Sequence, residues 1–159
     1  MLVDVELVER YWYPDDGGQV WLSGYQLVDP DSGSFLGRDA PQLAERGLRV
    51  AAVAGARHRE GALESDALAP GSALELRREP ENEHDPDAIG VWAGGAQAGY
   101  VPRELAAELA GELDGGRPWA AIVLREQRPS PRDPRSGVTM LLAPADAIEL
   151  RARPARRSP

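Results

Sequence analysis

The sequence predicts a mainly β protein, folded as a small antiparallel barrel or sandwich with one or two helices. Short apolar stretches recur along the chain, and turns rich in Gly, Pro and Asp separate them, which is typical of all-β folds. A chain of 159 residues with 42% hydrophobic residues fits one compact domain and leaves room for a small extension. The clearest helical spacing of apolar residues follows Pro102.

The N-terminal residues, 1–47, predict a β-hairpin. Residues 2–9 alternate apolar and acidic side chains, which is the pattern of a strand with one solvent-facing side. Residues 15–18 (Asp-Asp-Gly-Gly) predict a turn, and residues 20–28 predict the returning strand. One helical turn is expected at residues 41–46. We expect the hairpin to pack on the core as an extension, because its apolar side chains need a surface to cover.

The central residues, 48–145, predict the barrel itself. Alternating or continuous apolar runs bounded by turn residues indicate its strands. These strands are expected at residues 48–54, 73–78, 88–93, 97–101, 119–125 and 138–142. A short helix is predicted at residues 62–68, where Pro70 and Gly71 close it. The four tryptophans lie in strand patterns and are predicted to fill the core.

A second helix is predicted to begin at Pro102, because proline is favoured at the first helical position. Leu105, Leu109 and Leu113 fall four residues apart, so they lie on one face of this helix. The last residues, 146–159, are rich in arginine, and we expect them to form a disordered tail.

The composition excludes several classes of site. The chain has no cysteine, which excludes disulfides, thiol catalysis and cysteine-based metal centres. It has neither an apolar run long enough to span a membrane nor a basic N-terminal signal region, so we expect no membrane partner and a cytoplasmic location. The net charge of −8 argues against binding of long duplex DNA. Every basic residue is arginine, whose planar fork suits phosphate.

Three polar clusters interrupt the apolar pattern. The first is Arg57-His58-Arg59, directly after an apolar strand. The second is the loop at residues 78–89, which reads Arg-Glu-Pro-Glu-Asn-Glu-His-Asp-Pro-Asp-Ala-Ile. The third is Gly-Tyr-Val-Pro-Arg-Glu at residues 99–104, at the start of the predicted second helix.

In this order and spacing, the three clusters resemble the HIRAN domain family over residues 50–143. The family's pattern joins a strand ending in Gly, an Arg with aromatic residues, a loop of the form Glu-Pro-x-Asn-x-aromatic-Asp, and Gly-x-hydrophobic-Pro-Arg before a helix. Here the loop reads Glu79-Pro80-Glu81-Asn82 with Asp85. The resemblance implies a modified OB-like barrel, found in DNA-repair helicase proteins and in free-standing bacterial proteins.

The resemblance also implies a function, since the best-understood family members capture the 3′ end of single-stranded DNA. By position, Asp85 would accept a hydrogen bond from the terminal 3′-hydroxyl, and residues 58 and 84 would flank the last bases. Both of these positions are His here, where the DNA-binding eukaryotic members carry Tyr. The implied nucleic-acid-binding residues are Arg57, His58, Arg59, Asn82, His84, Asp85, Tyr100 and Arg103.

Simpler structural roles compete for several of these residues. Asp85 precedes a proline, and an Asp in such a loop commonly forms an Asx turn with its own backbone. Asn82 is expected to tie the loop to its backbone in the same way. Arg78 is expected to pair with Glu79 or Glu81 on the surface, where an ion pair contributes little to stability.

The leading hypothesis is therefore a non-enzymatic module, without cofactor, that holds single-stranded DNA ends beside a helicase or nuclease partner in DNA repair. The first alternative is a protein–protein adaptor that uses the same cleft. The second is a metal-dependent nuclease, since carboxylates are the ligands that Mg²⁺ and Mn²⁺ prefer. Its ligands would come from the acidic loop, where Glu81, Glu83, His84, Asp85 and Asp87 lie close in sequence.

Overall fold

The computed structural model describes residues 2–12, 21–29, 32–37, 40–59, 61–130, 132–146 and 149–153. Within these ranges the chain is mainly β, as predicted, with two α-helices. The strands are β1 (Leu2–Trp12), β2 (Trp21–Val28), β3 (Phe35–Leu36), β4 (Arg49–Ala52), β5 (Ala73–Arg78), β6 (Ile89–Ala93), β7 (Ala96–Tyr100), β8 (Trp119–Arg128), β9 (Gly137–Pro144) and β10 (Glu149–Arg153). The helices are α1 (Pro41–Glu45) and α2 (Arg103–Asp114).

Strands β4 to β9 curl into an antiparallel barrel. Strand β5 pairs with β6, β6 pairs with β7, and the other edge of β5 pairs with β8. Strand β8 continues to β9, and β9 pairs with β4. The ring closes just beyond β4, where Ala54 and Tyr100 form an isolated antiparallel bridge. Both hydrogen bonds of that bridge are made, at 2.8 and 2.9 Å.

Residues 119–124 of β8 and 140–144 of β9 are apolar without interruption because both faces of these strand segments are buried. On one face of β9, Met140 and Leu142 enter the barrel core, and on the other face Leu141 joins a second cluster. Strand β8 divides in the same way, with Val123 inside the barrel and Leu124 outside it. Successive side chains of these strands therefore point alternately into two hydrophobic cores, rather than into a core and toward solvent.

The second cluster joins the N-terminal hairpin to the barrel. Strand β2 pairs antiparallel with β1 and, along its other edge, with the end of β8. Leu27 of β2, Leu36 of β3 and Leu43 of α1 are buried against the outer face of β8 and β9. The hairpin and the first helix therefore lie where the sequence predicts them, while the turn at residues 15–18 falls outside the described residues.

Helix α2 closes one end of the barrel. Leu109 is fully buried, and Leu105 and Leu113 pack partly buried against the same core, as their spacing predicts. Pro102 is the residue that precedes the first helical turn, and Arg103 begins the helix. Among the described residues, no helix is long and apolar enough to cross a membrane.

Two predicted elements differ in the structure. No α-helix forms at residues 62–68, because the hydroxyl of Ser65 accepts a hydrogen bond from the backbone N–H of Ala67 and starts a short 3-10 turn, Asp66–Leu68, that ends before Pro70. The disorder predicted from residue 146 is wrong for Glu149–Arg153, which forms β10 and pairs parallel with β1. Residues 154–159 lie outside the described residues.

Candidate nucleic-acid interface

A cavity of about 340 Å³ lies beside the Ala54–Tyr100 bridge that closes the barrel. The loop between β5 and β6 forms one wall, and the start of α2 forms another. The lining residues are Ala54, Asn82, His84, Asp85, Ala88, Tyr100, Val101 and Arg103. The second and third polar clusters of the sequence therefore meet at this place in the fold.

The close approach of β7 to the end of β4 depends on Gly99. A Cβ atom at this position would meet the carbonyl oxygen of Ala54 at 2.3 Å, well inside any real contact. Because glycine has no Cβ, Tyr100 can bridge to Ala54 and bring its ring to the rim of the cavity. The glycine of the third cluster thus sets the position of the aromatic residue that follows it.

Asn82 organises the loop that forms the other wall. Its side-chain carbonyl accepts hydrogen bonds from the backbone N–H of His84 at 2.9 Å and of Asp85 at 3.0 Å. Its amide group donates to Glu79 at 3.2 Å. The predicted structural role of Asn82 is confirmed, and this role fixes the backbone on which His84 and Asp85 stand.

The two carboxylate oxygens of Asp85 have different partners. Oδ1 accepts a hydrogen bond from the backbone N–H of Asp87 at 2.9 Å, which is the predicted Asx turn. Oδ2 lies 3.7 Å from Nε of Arg103, whose side chain is 80% exposed. One oxygen therefore holds the loop, and the other faces an exposed cation at the cavity.

Glu79 is the residue of this region that the sequence reasoning missed. Its Oε1 accepts a hydrogen bond from the hydroxyl of Tyr100 at 3.0 Å, and its Oε2 accepts one from the amide of Gln97 at 3.3 Å. With the bond from Asn82, three side-chain donors converge on this half-buried carboxylate. The sequence feature that could have pointed to Glu79 is its position as the first residue of the Glu-Pro-x-Asn loop.

The structure brings together most of the predicted site. Asn82, His84, Asp85, Tyr100 and Arg103 line the cavity. The guanidinium of Arg59 lies 5.4 Å from the centre of the Tyr100 ring, within the range of a cation–π contact.

Arg57 and His58 stand apart from the lining. They are exposed in a 3-10 turn, Ala56–His58, whose first residue is buried and whose preceding Gly55 has a φ of 74°. They border the cavity region from the strand end, and they do not line the cavity itself.

A family model described as HIRAN domain matches residues 47–130, more than half of the chain. The chain belongs to the HIRAN family. The mainly β barrel fits this assignment, and HIRAN domains are known in DNA-binding modules. The sequence resemblance to this family is confirmed.

Individual relatives match over shorter stretches or lower identity. A Fanconi-associated nuclease 1 homolog from Oryza sativa subsp. japonica is 46% identical over 55 residues, which are 32% of this chain and 6% of the rice protein. The chain thus spans a small fraction of that protein's length. The HIRAN domain of human HLTF is 22% identical, with a TM-score of 0.46 over 64% of this chain and 79% of that one. A Lactobacillus plantarum protein is 24% identical, with a TM-score of 0.42 over 61% of this chain and 99% of its own.

Several arginines of this HIRAN domain are engaged elsewhere. Arg78 does not pair with its sequence neighbours; its guanidinium donates to both carboxylate oxygens of Asp114 at 2.9 and 3.1 Å and to the carbonyl of Ala88 at 2.9 Å. The hydrogen bonds that Arg78 donates to Asp114 raise the pKa of Arg78, and the same contact lowers the pKa of Asp114. Arg49 donates through Nε and Nη2 to one carboxylate oxygen of Glu108. These side chains are unsuited to hold a phosphate at the cavity.

The acidic loop does not assemble a metal site. Within the described ranges, no three His, Asp or Glu side chains converge closely enough to hold a metal ion. Glu81 and Glu83 are exposed, and Asp85 uses one oxygen for the turn to Asp87. The ligand set considered for a nuclease is therefore not brought together by the fold.

Proposed function

We propose that this HIRAN domain is a non-enzymatic module that binds the 3′ end of single-stranded DNA. The observation that carries the proposal is that the two carboxylate oxygens of Asp85 have different partners. Since Oδ1 is held by the backbone of Asp87, the loop presents Oδ2 in one direction, toward Arg103 and the cavity. A fixed carboxylate oxygen is an acceptor for a hydroxyl group, which is the chemical feature that marks a free 3′ end.

The surroundings of Asp85 supply the other contacts that a strand end needs. Arg103 is 80% exposed and can turn toward a phosphate without breaking a buried ion pair. Arg57 is exposed on the neighbouring turn, and Arg59 lies against Tyr100 at the rim. Arginine binds phosphate oxygens through two parallel hydrogen bonds, so these three side chains suit the last phosphates of a strand.

The bases would stack on flat side chains at the rim. His84 lines the cavity and is exposed, and its backbone is fixed by Asn82. Imidazole offers a smaller stacking surface than a phenol ring. We therefore expect weaker base stacking here than with a tyrosine at this position.

The net charge of −8 is compatible with this mode of binding. A strand end engages a few phosphates at one cavity, whereas a long duplex needs an extended basic face. The acidic surface of the protein would then exclude duplex DNA from the rest of the molecule. Selectivity for strand ends over duplex DNA would then come mainly from recognition of the terminal hydroxyl rather than from net charge.

Binding of labelled strands tests the proposal directly. Three forms of one oligonucleotide are compared, with a free 3′-hydroxyl, a 3′-phosphate, and a 5′-phosphate with a free 3′-hydroxyl. We expect tight binding of both strands that carry a free 3′-hydroxyl and weak binding of the 3′-phosphate strand, because a phosphate would meet the Asp85 carboxylate. Equal affinity for all three would contradict end capture.

The partner enzyme and the lack of catalysis belong to the same proposal. We propose that the module works beside a helicase or nuclease in DNA repair; the rice relative carries the name of a nuclease homolog. Purified protein incubated with the three strands and Mg²⁺ or Mn²⁺ should leave them intact, and cleavage would contradict a non-enzymatic role. A protein that ignores all strands and binds a peptide in the cavity would favour the adaptor alternative.

A further inference from the structure

We propose that Glu79 is a positioning residue that fixes both the orientation and the hydrogen-bonding direction of Tyr100 at the cavity. The inference rests on the proposed function and adds a specificity determinant to it. Glu79 does not line the cavity, but it accepts hydrogen bonds from Tyr100 and Asn82, which do, so it would act on a ligand through these two residues.

Contacts with Ala88, Gly90 and Tyr100 set the position of Glu79. Its backbone N–H donates to the carbonyl of Ala88 at 2.9 Å, which places it beside the start of β6. Its side chain lies over Gly90, where a Cβ atom would meet Oε2 at 2.8 Å. Gly90 pairs with Tyr100 in the sheet, so the absence of a side chain at position 90 opens the path between Glu79 and Tyr100.

The hydrogen bond from Tyr100 to Glu79 has a chemical consequence. A phenol carries one proton, and a carboxylate can only accept a hydrogen bond. The Tyr100 hydroxyl therefore donates its one hydrogen bond to Glu79, and its oxygen can only accept a hydrogen bond from a ligand. Asp85 also offers only an acceptor at Oδ2. The side of the cavity formed by Tyr100 and Asp85 then favours ligand groups that donate a hydrogen bond, such as a hydroxyl or a base amino group, and disfavours a terminal phosphate.

The ring of Tyr100 is fixed at two points by this arrangement. Its hydroxyl is bound by Glu79, and one ring face is covered by the guanidinium of Arg59 at 5.4 Å. A ring held at its edge and its face loses little further freedom when a base or sugar packs on it. Preorganisation of this kind raises affinity without adding a contact to the ligand.

A double-mutant cycle with Glu79→Gln and Tyr100→Phe tests the inference. The glutamine keeps the size of the side chain but replaces one acceptor oxygen with a donor, and the phenylalanine removes the hydroxyl alone. We expect each single variant to weaken binding of the 3′-hydroxyl strand about tenfold, which is the scale of one hydrogen bond to a charged group. If Glu79 acts through Tyr100, the double variant binds no more weakly than Tyr100→Phe.

Gln97→Ala is the matched control. Gln97 also donates to the Glu79 carboxylate, at 3.3 Å, but it is not part of the cavity lining. We expect this variant to bind the 3′-hydroxyl strand like the wild type. Thermal melting of all four variants shows whether each remains folded, and the ratio of affinities for the hydroxyl and phosphate strands shows whether selectivity changes.

The outcomes separate this inference from the proposed function. If Glu79→Gln and Tyr100→Phe weaken binding additively, or if Glu79→Gln leaves both affinity and end selectivity unchanged, Glu79 is not a positioning residue, although end capture stands. A lower melting temperature with equal loss for both strand types would assign Glu79 a structural role only. If the wild type fails to distinguish the strands, both the proposed function and this inference fall.

Discussion

Nε of Arg103 lies 3.7 Å from Oδ2 of Asp85, a distance at which the two charges attract each other without a tight hydrogen bond. The side chain of Arg103 is 80% exposed, and that of Asp85 is 20% exposed. An exposed pair of this kind contributes little to stability. Under the proposed function, Arg103 would leave Asp85 for a phosphate while a hydroxyl takes its place.

Two substitutions of Asp85 separate its roles. Asp85→Asn keeps an oxygen for the hydrogen bond from Asp87 and removes the anionic acceptor, so we expect binding of a 3′-hydroxyl strand to fall about tenfold or more with little change in melting temperature. Asp85→Ala also removes the Asx turn, so it should lower the free energy of unfolding by a further ~0.5–1.5 kcal/mol. Titration and thermal melting of both variants provide the measurement. Equal melting temperatures for the two variants, or binding by Asp85→Asn as tight as that of the wild type, would contradict the division of roles.

The dependence of binding on salt counts the phosphate contacts. If Arg57, Arg59 and Arg103 each neutralise one phosphate, the logarithm of the affinity for a single strand should fall with the logarithm of salt with a slope of about −2. Arg57→Ala should reduce the magnitude of this slope by about 0.7. Arg117→Ala is the control, because Arg117 is paired with Glu112 and Asp146 away from the cavity. An unchanged slope for Arg57→Ala would remove Arg57 from the binding site.

Local patterns in the sequence predicted those parts of the fold that local chemistry determines. The paired strands of the hairpin, the four-residue spacing of Leu105, Leu109 and Leu113, and the Asx-forming loop all appear as expected. Asn82 and Asp85 act on backbone groups two or three residues away, which is why their structural roles were visible in sequence.

Contacts between distant residues could not be predicted in the same way. Arg78 pairs with Asp114, 36 residues away, although three carboxylates lie within three residues of it along the chain. Trp92 was predicted to be a core residue, yet it is half-buried and Arg77 stacks on its ring at 4.0 Å. The alternation of β6 allows either face for Trp92, and only the pairing of the sheet decides between them. The three side-chain hydrogen bonds to Glu79 become apparent only once β7, which carries Gln97 and Tyr100, is placed beside β6.

Gly99→Ala should disturb the bridge that closes the barrel. Since a Cβ atom would meet the carbonyl oxygen of Ala54 at 2.3 Å, the two strands would have to separate, at a cost of about 1–3 kcal/mol. Gly111→Ala is the matched control, because nothing lies within 4 Å of its added Cβ and it is exposed in α2, where alanine should stabilise by about 0.5–1 kcal/mol. Urea unfolding of both variants measures the effect. Equal stability of the two would contradict the close approach at Gly99.

The ion pair between Arg78 and Asp114 predicts a change of stability with pH. Hydrogen bonding from Arg78 lowers the pKa of Asp114 below its ordinary value of 3.8. A carboxyl whose pKa is lower in the folded state stabilises the fold above its unfolded pKa and loses this contribution as the pH falls through its folded pKa. The stability difference between the wild type and Asp114→Asn should therefore be constant above pH 3.8, and it should shrink as the pH falls below that value.

Urea unfolding at about pH 7, about pH 5 and about pH 3 measures this difference, which we expect to be small because the carboxylate is exposed. Glu64→Gln is the control, since Glu64 is exposed and makes no ion pair with the described residues. Its difference from the wild type should stay near zero throughout. A difference for Asp114→Asn that grows as the pH falls, or that is already absent at about pH 5, would mean that the pair does not join the end of β5 to α2 in solution.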